Sequence, residues 1–400
     1  MRRLAVFLAI FTAFSCAHAQ KRETLLDLRA RVFGLARVQA VYMDSLLTDL
    51  SFRAESRNLY PRTFQGDTLV TSDIGWWTSG FYPGVLCQIY GETAEPRFRE
   101  LAVKHTLPLA GLLDRETDHD IGFQLMSSFG RWFIIDFFDP REEDVLPPLE
   151  IKGILEKGAE KLAARFIPSA GVIRSWNWGE WNIPVIIDNM MNLELLMAYG
   201  DSTVAQKHAL TTMKNHFRED GTCVHLVDYA DDGSVRGRQT VQGYADDTAW
   251  ARGQAWALYG FATMARRERY SGNVELELTF RRVASKLEQW LLENLPEDGI
   301  PYWDFSQTDY KDASAAAIIA CGLLKQHGLR GYPEDDPALA MAERILHTLA
   351  SPDYLAEPRT NGGFLLKHSV GNLPGGSEID VPLTYADYYF LEALTLFPND

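Results

Sequence analysis

The chain has 400 residues, 46% of them hydrophobic and 12% aromatic, and a formal net charge of −15. That is apolar material enough for a sizeable core, and an acidic balance without a basic patch excludes nucleic acid, whose phosphates need neutralising Lys and Arg. No Ser/Gly tract, low-complexity block or run of five like charges divides the sequence, so a single domain over residues 20–400 is expected.

At the N-terminus Arg2-Arg3 precede an apolar run over residues 4–14, and Ala17-His18-Ala19 offers a small-x-small cleavage site. Residues 1–19 therefore read as an export signal, which places the mature chain in the periplasm or outside the cell. The run falls short of the about 20 apolar residues a helix needs to span a bilayer, so no stable membrane insertion is expected. Cys16 raises a lipoprotein alternative, but Ala13-Phe14-Ser15-Cys16 is a poor lipobox. Cys87, Cys223 and Cys321 are too few and odd in number for a disulfide framework and read as buried thiols. There is no CxxC or HExxH, so neither a metal site nor a cofactor is expected.

Further along, two kinds of helical segment alternate. Residues 23–50, 96–113, 148–166, 202–217, 274–295 and 336–349 mix apolar positions with Lys, Arg, Glu and Gln at helical spacing, as helices wet on one side do. Residues 81–90, 121–138, 189–199, 248–265, 313–324 and 385–396 are apolar almost all round, as buried helices must be. Six outer helices alternating with six inner ones predict an all-α fold, an (α/α)6 barrel or six-hairpin toroid. Strand signals are few: residues 171–176 and 223–227 look like hairpin pieces in the loops.

Before each inner segment stands a loop rich in aromatic and acidic residues, such as Gly75-Trp76-Trp77-Thr78-Ser79-Gly80, Asp118-His119-Asp120 and Ile186-Ile187-Asp188-Asn189. In a ring the inner helices run parallel, so these loops converge on one mouth, and loops on a rigid scaffold are where sites concentrate. Asp120 and Asp188 each immediately precede an inner helix. A helix-capping role is the plain reading of any one of them. Their polar, aromatic-flanked contexts and their shared mouth favour an acid/base pair. A helix N-terminus favours the carboxylate anion, and a second carboxylate nearby would oppose this by raising the pKa of one partner.

Trp76, Trp77, Trp176, Trp178, Trp250 and Trp256 supply aromatic platforms of the kind sugar rings stack on, although Trp250 and Trp256 could equally fill core space. Arg252 shares a helix face with Trp256 and must find a partner if buried, either a ligand carboxylate or a protein Asp. His225, Gln242 and residues 369–377 read as loop donors, with ordinary turn chemistry the plainer account of the last.

Together these strings resemble the unsaturated glucuronyl hydrolases, glycoside hydrolase family 88, over nearly the whole mature chain. The most specific pieces are His119-Asp120-Ile121-Gly122-Phe123, Asp188-Asn189-Met190-Met191-Asn192 and Trp250-Ala251-Arg252-Gly253-Gln254-Ala255-Trp256. The resemblance implies an (α/α)6 barrel and an unusual reaction. A 4-deoxy-hex-4-enuronic acid, left at the non-reducing end of an oligosaccharide by an upstream polysaccharide lyase, is removed by hydration of its C4=C5 double bond rather than by displacement at the anomeric carbon. Asp188 matches the family's general acid/base and Asp120 its second essential Asp. His119 stands beside that Asp, and Trp77, His225, Gln242, Arg252 and Trp256 match substrate-contact positions. Val241 departs from the His that family members often carry there, which leaves subsite specificity open. An unsaturated rhamnogalacturonyl hydrolase on the same toroid, and an exported glycan-binding protein without turnover, are the alternatives. The paired Asp residues with Arg252 are more acid/base equipment than a binding cleft needs. A sugar epimerase would want paired catalytic histidines, which His119 and His225 do not clearly supply.

Overall fold

Alternating amphipathic and apolar segments can bury their faces together only by pairing, and they do so as successive hairpins in the computed structural model, which describes residues 23–54, 59–139 and 146–397. Residues 1–19, read as an export signal, and Cys16 lie outside the described residues. In chain order the pairs are α1 (Leu25–Ala54) with α2 (Phe81–Thr93), then α3 (Pro96–Thr106), extended by a 3-10 turn over Leu107–Asp114, with α4 (Ile121–Ser127) and its continuation α5 (Phe129–Phe138). They continue in sequence as α6 (Pro148–Ala163) and α7 (Asn189–Tyr199), α8 (Ser202–Asn215) and α9 (Ala251–Ser271), α10 (Val274–Asn294) and α11 (Ala313–Leu329), and α12 (Pro337–Leu349) and α13 (Thr384–Leu396), with α2, α9 and α11 packing most heavily on the outer helix that follows each of them.

The second member of each pair packs on the second member of the next, from α2 through α4, α7, α9, α11 and α13 and back to α2. The ring is closed. Outer α12 buries Ala338, Ala342, Ile345, Leu346 and Leu349, a single helical face. Inner α11, by contrast, buries nearly every residue from Ala313 to Leu329. Close approach between inner helices rests on glycine at two telling places. A Cβ on Gly122 of α4 would sit 2.6 Å from the Asn192 Cα of α7, and one on Gly260 of α9 would sit 2.5 Å from Met190 Cβ. One apolar cluster runs from Leu28 to Leu394.

The expected helices differ from the observed ones in detail. The second inner helix breaks at Ser128 (φ −104°, ψ −86°), whose hydroxyl donates to Gln124 O at 2.6 Å. The fourth starts at Ala251 rather than Thr248, because the Thr248 hydroxyl is engaged by Asp304 Oδ2 at 2.8 Å and Trp250 stays extended. More strand forms in the loops than the sequence suggested: β1 (Tyr60–Gln65) with β2 (Thr68–Ser72), β3 (Phe166–Ile167) with β4 (Val172–Ile173), the three-stranded β5 (Ile183–Ile186), β6 (Leu226–Tyr229) and β7 (Val235–Gln239), and β8 (Ser369–Asn372) with β9 (Ser377–Val381). Residues 369–377, read as a turn, are therefore a hairpin. Cys87, Cys223 and Cys321 are free and buried. Among the described residues no helix is long and apolar enough to cross a membrane.

Candidate active site

The inner helices begin at one end of the ring, and the strand-bearing loops gather over that end. Asp188 and Asp120 occupy the residues just before α7 and α4, yet neither carboxylate closes a capping hydrogen bond. Capping is done elsewhere in the usual way: Asp312 accepts from Ser314 N at the start of α11, and Asp201, Asn273 and Asp336 cap α8, α10 and α12. The two mouth carboxylates are thus left free for something other than helix ends.

Each faces a buried histidine of fixed tautomer. His225 Nδ1 accepts the backbone N–H groups of Val241 (3.0 Å) and Gln242 (3.2 Å), so the proton sits on Nε2, which lies 3.7 Å from Asp188 Oδ2. Asn192 Oδ1 accepts from Phe123 N at 2.7 Å, which turns its amide nitrogen toward His119 Nδ1 at 3.3 Å. His119 Nε2 is therefore also the protonated nitrogen, 3.5 Å from Asp120 Oδ1. Burial pushes both imidazoles down to about 3, so they act as neutral donors. Asp188 Oδ2 and His225 Nε2 are buried and make no closed hydrogen bond among the described residues.

Burial raises the Asp188 carboxyl to about 7, against the Arg252 charge and the nearby Trp256 indole, which both pull it down. Trp256 Nε1 approaches that carboxylate without closing a hydrogen bond. Asp120 is raised well above the ordinary carboxylate range, first by burial, then by the charges of Asp118 and Asp188. The helix-terminus argument favoured the anion at both positions. Desolvation overrides it, and repulsion between the pair is a smaller cause than expected.

Aromatic rings form the floor and walls. Trp77 packs on Phe123 (ring centroids 5.5 Å apart) and Tyr385 (4.8 Å), and Phe123 packs on Trp256 (5.2 Å). Trp256 is fully buried, Trp250 lies 4.4 Å from His225, and Trp178 stands 62% exposed, stacked on Trp176 at 4.8 Å. Val241 packs against the buried cluster of Trp176, Ile186 and Leu226.

Arg252 had two candidate partners in the sequence, a ligand carboxylate or a protein Asp. It is buried and engaged by the protein: Nη1 donates to Val370 O and lies 3.5 Å from Asp312 Oδ2, while Nη2 donates to Gln242 Oε1 at 2.7 Å and Gly371 O at 2.5 Å. Trp250 and Tyr385 flank its guanidinium. All eight residues singled out in the sequence thus meet in one contact network at the mouth. Sequence reasoning missed the contribution of Asp118 and Asp312. Asp312-Ala313-Ser314 carries only a cap signal, and nothing in sequence links Asp312 to an arginine 60 residues earlier.

A closed (α/α)6 ring with two carboxylates only 13% and 18% exposed and an aromatic mouth is the layout of a sugar-processing barrel. No family model matches the chain, but whole-chain relatives do. It is 39% identical over 334 residues, 80% of this chain and 79% of the relative, to an unsaturated glucuronyl hydrolase of Formosa agariphila. It is 33% identical over 365 residues, 84% of this chain and 90% of the other, to the enzyme of the same name from Bacillus sp. strain GL1. Among solved structures, an unsaturated glucuronyl hydrolase specific for heparin superposes with a TM-score of 0.80 at 36% identity, covering 91% of this chain and 96% of that one. The chain belongs to the unsaturated glucuronyl hydrolases.

Proposed function

We propose that this enzyme, exported through residues 1–19, removes a 4-deoxy-hex-4-enuronic acid from the non-reducing end of oligosaccharides released by an upstream polysaccharide lyase, and does so by hydrating C4=C5. The observation that carries the reading is the state of Asp188. A carboxyl with a pKa of about 7, one oxygen buried and unsatisfied, can hold a proton near neutrality and give it up in the transition state.

In this mechanism Asp188 protonates C4 while water adds to C5 and returns a proton to the same carboxylate. The C5 hemiketal opens to a ketone, and the hemiacetal left at C1 releases the remaining sugar chain. Asp120 lies beside the reacting ring and orients it together with neutral His119. His225 and Gln242 donate to substrate oxygens, Trp77 bounds the sugar face, and the fully buried Trp256 backs the site with its indole turned toward Asp188. Arg252 acts on the uronate side through the groups it holds.

Relatives named for chondroitin disaccharides and for heparin make unsaturated glycosaminoglycan disaccharides the first substrates to try. Loss of their ultraviolet absorbance on adding enzyme tests turnover. Hydrolysis in heavy-oxygen water tests the chemistry: label belongs on C5 of the released keto sugar, and label found only on C1 would return the enzyme to ordinary glycosidase displacement. Mass measurement of the mature N-terminus from a periplasmic or culture fraction tests export, with a start at Gln20 expected.

A further inference from the structure

We propose that Asp312, at the start of α11, is a positioning residue for the reaction, acting through Arg252 and Gln242 on the His225–Asp188 pair. The proposal rests on the reading of the mouth given above.

The Asp312 carboxylate does more than a cap requires. Oδ1 accepts from Ser314 N (3.0 Å) and Ser314 Oγ (2.6 Å), which completes the cap, and it also meets Val370 N of β8 at 3.3 Å. Oδ2 and the negative charge are surplus to capping, and Asp312 is fully buried. A buried carboxylate is costly unless paired, and Arg252 is the ion-pair partner found for it among the described residues. The contacts close a ring: Asp312 to Val370 N, Val370 O to Arg252, Arg252 back to Asp312.

From that ring a chain of contacts reaches the chemistry. Arg252 Nη2 holds Gln242 Oε1, which fixes the amide and leaves its NH2 as the group a ligand can use. The backbone N–H of the same Gln242 donates to His225 Nδ1, setting the tautomer whose Nε2–H faces Asp188. Arg252 also holds Gly371 O, so the β8–β9 hairpin is seated by the same guanidinium. Burying one charge pair at the junction of α9, α11, the 241–242 loop and β8 fixes the relative placement of four elements that sequence leaves independent.

The charge has a second reach. The groups facing Asp188 are His225, Arg252, Trp256 and the Cys223 thiol, with Asp120 and His119 beyond, and Arg252 is the charged one that opposes the effect of burial. Removing the Asp312 anion leaves Arg252 uncompensated, which lowers the pKa of Asp188.

The test is Asp312→Asn, alone and combined with Gln242→Ala, on a substrate that the wild type turns over. Asn still caps and still accepts from Val370 N but has no charge. Expected are a loss in kcat/KM between about tenfold and a hundredfold, the scale of misplacing a contact group by about an ångström, and an alkaline limb moved to lower pH. The loss should shrink when Gln242 is already Ala, because the two residues act in series. Kinetic constants and a pH profile equal to wild type per folded molecule would overturn the proposal, as would strictly additive effects in the double variant. Should Asp312→Asn not fold, Asp312→Glu, which keeps the charge but moves it, is put through the same cycle and read the same way. If the wild type turned over no unsaturated uronide, the reading of the mouth itself would fail instead, so the two failures are distinguishable.

Discussion

At Asp188 burial lifts the carboxyl to about 7 at a helix start where the dipole alone would hold it down. The lift has a consequence for stability. The folded protein binds this proton more tightly than the unfolded chain, whose carboxyl titrates near 3.8, so stability from this group is full below that value and falls as pH rises to about 7. Asp188→Asn removes the ionisable group and sacrifices no cap bond, since none is made. The variant should unfold with wild-type stability at pH 4 and be more stable at pH 8, by up to roughly 4 kcal/mol at about 1.4 kcal/mol per pH decade. Its turnover should fall by at least about a hundredfold, the lower range of general acid–base catalysis. Thermal unfolding at the two pH values and kinetics on one preparation check both halves; a variant less stable than wild type at pH 8 would contradict the desolvation account. In the wild type, kcat/KM should decline as pH rises through about 7, where Asp188 loses its proton. Asp120→Asn should be severely impaired with a displaced pH profile. A near-normal rate with an unchanged profile would make Asp120 part of the scaffold alone.

The spacing of the two acid/base candidates depends on how closely their helices approach. Asp120 and Asp188 sit at the starts of α4 and α7, and these helices touch where Gly122 meets Asn192, itself bonded to Phe123 N and to His119. Gly122→Ala would place a Cβ 2.5 Å from Asn192 Cβ and 2.6 Å from its Cα, so backbone must yield. Overpacking of this kind costs about 1–3 kcal/mol. It should also lower kcat/KM by about tenfold to a hundredfold by shifting His119 and Asp120 relative to Asp188. Wild-type kinetics in a folded Gly122→Ala variant would show that the two helix starts tolerate displacement. Helices of both kinds were legible in the sequence because each follows from one local rule, charge on one face or apolar all round. What stayed hidden were features set by distant partners. The break at Ser128 and the late start of α9 depend on a Gln124 carbonyl and on Asp304, and the β8–β9 hairpin forms where turn residues alone suggested a loop.

Over the whole molecule the ring separates chemistry from support. The order of helices, the inward ring and the mouth carrying Asp120, Asp188 and the tryptophans could all be read from alternation and junctions. The electrostatics could not, because desolvation is a property of the closed barrel rather than of any segment. Burial also raises Asp387, on α13, to about 7, but this carboxylate is held by the backbone, one oxygen accepting from Leu365 N and the other from Leu366 N. Deeper in the bore a charged network ties inner helices together. Arg131 of α5 meets Glu392 of α13 at 2.7 Å, Lys325 of α11 lies 3.9 Å from the same carboxylate, and the Tyr259 hydroxyl of α9 donates to it at 3.0 Å. Glu392 stands eight residues beyond the start of α13, about 12 Å along the helix from the mouth at about 1.5 Å per residue. Glu392→Ala leaves Arg131 and Lys325 without this carboxylate on the wall of the inner cavity they line, which should cost about 1–3 kcal/mol. With Asp188, Asp120 and their histidines untouched, kcat and KM per folded molecule should match wild type. Unfolding by heat and denaturant, read beside kinetics corrected for the folded fraction, decides it. A stable variant with altered kinetics would mean that the far network sets the geometry of the mouth, and that the barrel works as one coupled body rather than as a support carrying a site at one end.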